Sequence, residues 1–446
     1  MNDINLPENV KFILKTLNNN DHEAYVVGGA IRNALLDMPI KDYDITTSAQ
    51  PNEIESIFKR TIPIGKSFGV ITVLIDDETF EVATFRVDGE YSNSRHPDSV
   101  QFTGNLIEDL KRRDFTINTL CCNHEGRIID LLGGVQDIKN KIIETVGDPD
   151  KRFQEDALRM VRAIRFQAQL DFSINTDTSK AIMRNSKLIE KISAERMQQE
   201  LNKILMSNPL DLYALNYYGL LNFLIPELDI CFWTNQDNPY HIYSVGMHIT
   251  HSCYYVEPIL HLRLAMLCHD ISKPQCKTID ENKRGHFYGH PEVCSETACN
   301  ILKRLRYDNI TIMKVRDLVK MHNDDIPDTR KAVRRWLNKI GEEMLRDLLK
   351  VKVADAKAQN MEFSYKKIEK VERIRIILEE ELEAQNCFSR KDLAINGNDL
   401  IDLGYKGKII GKIINHLMDK VIDNPDLNNS WDLISITEKY EEDKNE

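Results

Sequence analysis

Over the first third of the chain, apolar and polar positions alternate in short blocks. Beyond it, apolar residues recur at helical spacing. Tyr25, Val26 and Val27 form an apolar run that stops at Gly28 and Gly29. Ile71, Val73 and Ile75 alternate with Thr72 and Leu74, and a further β pattern follows over 80–86. Period-two alternation and bounded apolar runs predict strands near 25–27, 43–46, 70–75 and 80–86, with helices near 30–36 and 51–59. Ahead of them an amphipathic helix is expected within 1–24, with Phe12, Ile13 and Leu17 on one side. Residues 87–100 are rich in turn formers and read as a mobile loop. Another strand is expected at 126–130, closed by a turn at Gly133 and Gly134. From Asp148 onward long helical patterns dominate, including a charged one over 361–386, and the last residues, 441–446, read as disordered. The expectation is an α+β chain: a small mixed-sheet head with helices, then an all-α body. The divisions fall at 1–147 (head), 148–230 (neck), 231–360 (a histidine-bearing helical domain) and 361–446 (tail).

Length supports that division, because 446 residues exceed what one core organises. No apolar run reaches the ~20 residues that span a bilayer, and the N-terminus lacks a charged-then-apolar signal pattern. The nine cysteines include no Cys-x-x-Cys pair, so a disulfide framework or a zinc ribbon is not indicated. A reducing, cytoplasmic setting is expected. The net charge of −11 argues against a protein coated in nucleic acid but leaves room for a local basic groove.

The candidate chemistry starts at the Gly28–Gly29 pair. Paired glycines let backbone N–H groups approach a phosphate, and a helix start favours an anion. Arg32 lies in the first turn of that helix. Asp42 and Asp44 are two apart, so on a strand they face the same side and suit Mg²⁺ shared with substrate phosphates. Glu81, on another strand, is a candidate third carboxylate. Arg113, Asp114 and Asn118 can hold phosphate and ribose. Over 155–166 helix propensity is high throughout. Asp156 and Arg159 then share a face and can address a base edge, with Glu155 bracing Arg159 at i+4. Arg162 and Arg165 extend the row.

Together and in this order these motifs resemble the nucleotidyltransferase core of the DNA polymerase β superfamily. More narrowly, residues 25–205 resemble the tRNA nucleotidyltransferases that build the 3′ CCA end, a class that also contains bacterial poly(A) polymerases. The resemblance rests on Gly-Gly-x-x-Arg, Asp-x-Asp-x-x-Thr, Arg-Arg-Asp-x-x-x-Asn and Glu-Asp-x-x-Arg-x-x-Arg-x-x-Arg-Phe. It implies catalytic Mg²⁺ on Asp42 and Asp44 and nucleotide contacts from Gly28, Gly29, Arg32, Arg113, Asn118, Arg162 and Arg165. It also implies a sugar contact from Asp114 and base selection by Asp156 and Arg159. The partners implied are tRNA, CTP and ATP, with no membrane and no protein partner. Asn33 stands where the family usually has Asp. Residues 64–70 look like the CCA type, which leaves poly(A) synthesis, or addition of CC or A alone, as alternatives.

In the third segment His248, His269–Asp270, His290, His322 and Asp355 fall on separate predicted helices. This series resembles the HD phosphohydrolase fold. It implies a transition metal or Mg²⁺ on His248, His269, Asp270 and Asp355, with His290 and His322 at a second site or on phosphate. Ser272 replaces the family's usual glycine. A metal-dependent hydrolase with the head as nucleotide sensor is the alternative of another class. Residues 390–412, two short helices around a Gly/Lys turn, resemble the tRNA-binding tail of CCA enzymes with HD domains.

Overall fold

The computed structural model describes residues 3–89, 99–384, 386 and 388–445. The loop expectation for 90–98 lies outside them. The chain forms two compact units, Met1–Asp229 with Arg304–Arg306, and Ile230–Lys303 with Tyr307–Glu446.

In the first unit, helix α1 (Glu8–Asn18) buries Val10, Ile13, Leu14 and Leu17. Phe12 was expected on that side, yet it points outward and is 52% exposed. Strands β1 (Ala24–Val27), β2 (Asp44–Thr47), β3 (Thr61–Gly65), β4 (Val70–Ile75) and β5 (Glu78–Thr84) join the short strands Cys121–Cys122 and Ile128–Ile129 in one seven-stranded sheet. Its order is β3-β4-β5-β2-β1, then the two short strands. Only β2 and β5 pair in parallel; the other neighbours are antiparallel, so the sheet is mixed.

The register decides what lies side by side. β1 runs antiparallel to β2 with Val27 opposite Asp44, and Val27 also faces Cys121 on its other edge. The turn after Val27 therefore emerges beside Asp44. Gly28 takes φ +83° there, a conformation that disfavours any residue with a Cβ. It leads directly into α2 (Gly29–Leu35). β2 begins at Asp44, so Asp42 precedes the strand rather than lying on it. The strand expected over 80–86 ends at Thr84, and Arg86–Asp88 pairs separately with Val100–Phe102.

Helices α3 (Pro51–Ile57), α4 (Leu106–Lys111) and α5 (Gly134–Asn140) complete the sheet unit. The helical segment after it holds α6 (Pro149–Glu155), α7 (Leu158–Leu170), α8 (Thr176–Asn185) and α9 (Ala194–Ser207), with α7 packed on α9. The continuous helix expected over 155–166 is interrupted. Asp156 is extended (φ −142°, ψ 103°) between α6 and α7. Its carboxylate accepts from the Leu158 amide, as an N-cap residue does.

Among its described residues the second unit is helical apart from connecting turns and the pair Thr278–Ile279 with Gly285–His286. Helices Val245–Tyr255, Leu260–Cys268, Asn309–Met321 and Glu342–Lys357 pack together. Met361–Glu383 follows, and Lys408–Asp423 closes a separate apolar cluster around Leu400, Ile413, Leu417 and Val421. The last helix runs Ser430–Asn445, so the end expected to be disordered is helical through 445. Among the described residues no helix is long and apolar enough to cross a membrane.

One buried carboxylate ties the head together. Asp109 accepts from Arg112 at 2.7 and 2.9 Å, from Arg113 at 3.5 Å, from the Thr46 hydroxyl at 3.3 Å and from the Arg86 amide at 3.3 Å. Burial alone would raise its pKa, but Arg112 and Arg113 outweigh it and hold the carboxyl below its ordinary value. Its stabilisation is thus present above the unfolded carboxylate pKa and lost as pH falls through the depressed value. Asp109→Ala leaves two guanidinium groups without their anchor. It is expected to lower stability by about 3–5 kcal/mol, read as a shift in urea midpoint at pH 7.

Candidate functional site

Around the Gly28 turn the structure brings together most of the head residues singled out from the sequence. A Cβ built on Gly28 would meet the Arg113 guanidinium at 3.5 Å, and one on Gly29 would meet Arg32 at 3.7 Å. Crowding by neighbouring atoms pushes the Asp44 carboxyl above its ordinary value. Arg113 pulls it back down and the Asp42 charge pushes it further up. Glu81 precedes Val82 and Asp44 precedes Ile45, and those successors pair in register. The two carboxylates therefore lie level on one face of neighbouring parallel strands, Asp44 at the start of β2 and Glu81 midway along β5. An oxygen-rich edge of this kind suits a hard divalent cation.

Behind it runs a polar chain. Arg32 donates to the Asn118 Oδ1 at 2.5 Å, Asn118 donates to Asp114 at 2.9 Å, and Arg162 donates twice to Asp114 at 2.6 and 2.9 Å. Against the effect of burial, Arg162 and the Asn118 bond hold the Asp114 carboxyl far below its ordinary range. Asn33 accepts from Arg32 Nη2 and Nε at 2.9 and 3.2 Å. It orients the guanidinium without neutralising it, as an aspartate would. Three guanidinium carbons lie over the Phe166 ring, Arg165 at 3.8 Å, Arg32 at 4.9 Å and Arg162 at 5.7 Å. Burial depresses both Arg32 and Arg165 to about 10. Arg162 adds repulsion to Arg165, whose ion-pair partner is Glu200 at 3.1 Å. This is a cationic pocket with fewer carboxylates than guanidinium groups, the charge balance a polyphosphate would complete.

Asp156 and Arg159 lie across the helix break, each with its own partners. Asp156 accepts a bidentate pair from Arg196 at 2.7 and 3.2 Å. Arg159 donates to Glu155 at 2.7 Å, the i+4 brace expected from the sequence. It also donates to the carbonyls of Arg152 and Arg112 at 3.1 and 2.9 Å. Arg196, Glu200 and Asp109 were not singled out from the sequence. Only the spacing of Arg196 and Glu200 on one turn of α9 marks them there.

In the second unit a separate cluster forms. His248 Nε2 lies 3.1 Å from His269 Nε2, 3.0 Å from Asp355 and 3.2 Å from Asp270. Asp270 turns its other oxygen to His290 at 3.3 Å and His322 at 3.8 Å. Each imidazole has Nδ1 against a main-chain carbonyl: Ala358 for His248, Met266 for His269, Phe287 for His290 and Val319 for His322, at 3.1, 2.7, 2.7 and 2.6 Å. A carbonyl only accepts, so each Nδ1 carries a proton and each Nε2 points inward. Neutral Nε2 lone pairs facing carboxylate oxygens repel unless a proton or cation lies between them. Burial alone would lower the His248 pKa, yet Asp270 and Asp355 raise it to about 9. Two sets of ligand atoms converge here, one from His248, His269, Asp270 and Asp355, the other from Asp270, His290 and His322. Donor chemistry and outward Nδ1 bonding fit a divalent metal at the first set, with Asp270 common to a second. His241 was missed from the sequence. Its ring meets His248 edge to face at 5.0 Å.

Comparison with known proteins gives three family models: "Poly A polymerase head domain" over residues 24–144, "Probable RNA and SrmB- binding site of polymerase A" over 171–231, and "tRNA nucleotidyltransferase domain 2 putative" over 290–435. The CCA-adding enzyme of Anoxybacillus flavithermus is 50% identical over 194 residues, 44% of this chain and 49% of that one. In that match, as in one to the CCA-adding enzyme of Lactobacillus helveticus, the chain spans about half the length of the curated relative. The Bacillus stearothermophilus CCA-adding enzyme in complex with CTP superposes with a TM-score of 0.73 at 26% identity, covering 99% of this chain and 100% of that one. The Thermotoga maritima CCA-adding enzyme complexed with tRNA_CCA shares the fold, with a TM-score of 0.59 at 20% identity over 97% and 94% of the two chains. The CCA-adding enzyme of Ligilactobacillus salivarius is 34% identical over 99% of both chains, and by this full-length match the chain belongs to the CCA-adding enzyme family.

Proposed function

We propose that the chain adds C, C and A to the 3′ end of tRNA from CTP and ATP and releases pyrophosphate. The observation that carries this reading is the β1–β2 register, which sets the Gly28 turn and Arg113 beside Asp44. The full-length relative named as a CCA-adding enzyme favours CCA over poly(A) synthesis. Asp42 and Asp44, with Glu81 on the neighbouring strand, have the oxygen donors for Mg²⁺. Divalent ions held there supply charge to the attacking hydroxyl and the leaving oxygens. The chain's own part is positioning and charge compensation. The Gly28–Gly29 backbone admits the triphosphate closely. Arg32, Arg113, Arg162 and Arg165 compensate its charge, Asn118 orients Arg32, and Asp114 accepts from the sugar hydroxyl. Asp156 and Arg159 read the base, so no nucleic-acid template is needed.

A second reading is favoured by one observation, the four inward Nε2 atoms around Asp270 and Asp355. We infer a metal-dependent phosphohydrolase site there, independent of the head.

Three outcomes follow. Asp42→Ala and Asp44→Ala are each expected to cut nucleotide addition below about one-hundredth of wild type while tRNA binding stays within a few-fold, measured by 3′-end sequencing and filter binding. Activity within a few-fold of wild type would remove that residue from catalysis. His269→Ala or Asp270→Ala is expected to abolish phosphate-ester hydrolysis supported by Mn²⁺, Co²⁺, Ni²⁺ or Mg²⁺ and to leave CCA addition intact. Asp156→Ala is expected to relax exclusion of UTP and GTP and to slow CTP use. Each buried unmet polar group costs about 1–3 kcal/mol, so discrimination should fall by about one order of magnitude or more. An equal loss with all four nucleotides would make Asp156 a structural residue instead.

A further inference from the structure

Beside the Asp270 cluster lies a cavity of about 390 Å³. Its wall holds two pairs of planar side chains that the metal-ligating set does not use. Arg284 lies over the Tyr240 ring at 5.2 Å, and Tyr288 stacks on His286 at 5.4 Å with an interplanar angle of 5°. These rings are not loose surface groups. His286 Nε2 meets Asp280 at 2.9 Å, so that nitrogen carries the proton, and Nδ1 accepts from the Tyr288 hydroxyl at 3.3 Å. The two-stranded turn that presents them is clamped to the preceding segment. Gly285 donates to the Asp237 carbonyl at 2.9 Å, and Lys277 donates to the Asp237 carboxylate at 2.5 Å. A Cβ on Gly285 would meet the Gln236 carbonyl at 2.2 Å, so the turn is seated against that backbone. Tyr288 is nevertheless 77% exposed, a ring fixed in position on one face with the other open. Cations complete the cavity: Lys273, 2.6 Å from Asp270, with Arg284 and Lys367 farther round the wall.

From this geometry we infer that the wall formed by Tyr288, His286, Arg284 and Tyr240 is the specificity element of the hydrolase site, and that it selects small phosphate monoesters whose alcohol carries a planar ring. The inference rests on the hydrolase reading of the same cavity. The cations suit the phosphate, and the open face of Tyr288, its other face held by His286, offers a stacking platform about one ring deep. Cavity size falls within the range for small ligands, which favours a free monoester over a folded RNA end. The reaction balances with water alone. Its oxygen bonds to phosphorus, the ester P–O bond breaks, and its proton passes to the departing ring-bearing alcohol.

The test uses the full chain with Mn²⁺ and three monoesters: adenosine 5′-monophosphate, p-nitrophenyl phosphate and glycerol 3-phosphate. Wild type should favour both ring esters over glycerol 3-phosphate in kcat/KM by about tenfold or more. Tyr288→Ala should remove most of that preference through KM, with kcat nearly unchanged, and Tyr288→Phe, which keeps the ring, should retain it. A wild-type enzyme indifferent to the ring, or a Tyr288→Ala variant with the preference intact, overturns the specificity assignment while the hydrolase stands. Absence of hydrolysis of all three esters with Mn²⁺, Co²⁺, Ni²⁺ and Mg²⁺ overturns the hydrolase reading and this inference together.

Discussion

Three guanidinium groups share one aromatic face in the head, and among the described residues the carboxylates ion-paired with them are Asp114, with Arg162, and Glu200, with Arg165. Placing charge away from water is costly unless it is paired. Arg32 and Arg165 respond by falling to about 10, which still leaves both protonated at neutral pH. The head therefore retains positive charge beside the sheet edge that carries Asp44. Much of the surrounding structure serves to hold that arrangement. Phe166 offers its face, Phe115 packs on it edge-on at 5.7 Å, and Asn118 and Asn33 orient Arg32 with neutral oxygens. Replacing those amides by carboxylates would ease the repulsion and fill the charge deficit that a triphosphate is proposed to meet.

The strands around this edge were legible because one-sided burial imposes a period of two, as at Ile71 and Val73. Gly28 marks the turn after β1, where its positive φ favours glycine. The helix over 155–166 was legible only in its propensity. Nothing in that stretch signals a break, since Glu, Asp, Ala, Leu and Arg all tolerate a helix. The interruption is tertiary. Asp156 is drawn out of the helix by Arg196, forty residues on, and by the Leu158 amide. Asp109 and Glu200 were opaque for a related reason. In sequence each is one acidic residue among many, and its weight comes from the arginines that packing brings to it.

The second unit divides differently. Its metal-type ligands were readable because His-Asp and isolated histidines at helix ends form a recognisable series. What the sequence does not carry is their protonation. That depends on the main-chain carbonyls that meet Nδ1, and for His269, His290 and His322 the acceptor is the carbonyl three residues earlier. The backbone at a helix end or turn thereby holds the proton on Nδ1, and all four Nε2 atoms point inward, each with a lone pair whenever its ring is neutral. His248, whose acceptor is Ala358 just past the end of another helix, needs the assembled unit to do the same.

The helix break also sets how much of Asp156 and Arg159 remains for a base. An ionised carboxylate offers about four lone-pair positions. Arg196 Nη1 and the Leu158 amide occupy Oδ1, and Arg196 Nη2 occupies one position on Oδ2. Among the described residues that leaves one acceptor on Oδ2. A guanidinium has five N–H groups. Glu155 and the Arg152 carbonyl take those of Nη1, and the Arg112 carbonyl takes one of Nη2. The Nε–H and one Nη2–H remain. One acceptor beside two donors matches the cytosine edge, with its amino group, ring N3 and O2. Adenine uses the acceptor and one donor through its amino group and N1. Uracil and guanine each set a carbonyl against the remaining Oδ2 lone pair. On the proposed reading, then, Arg196 and Glu155 do more than neutralise charge. By occupying the surplus positions they reduce two versatile side chains to a single pattern, which is the property a template needs.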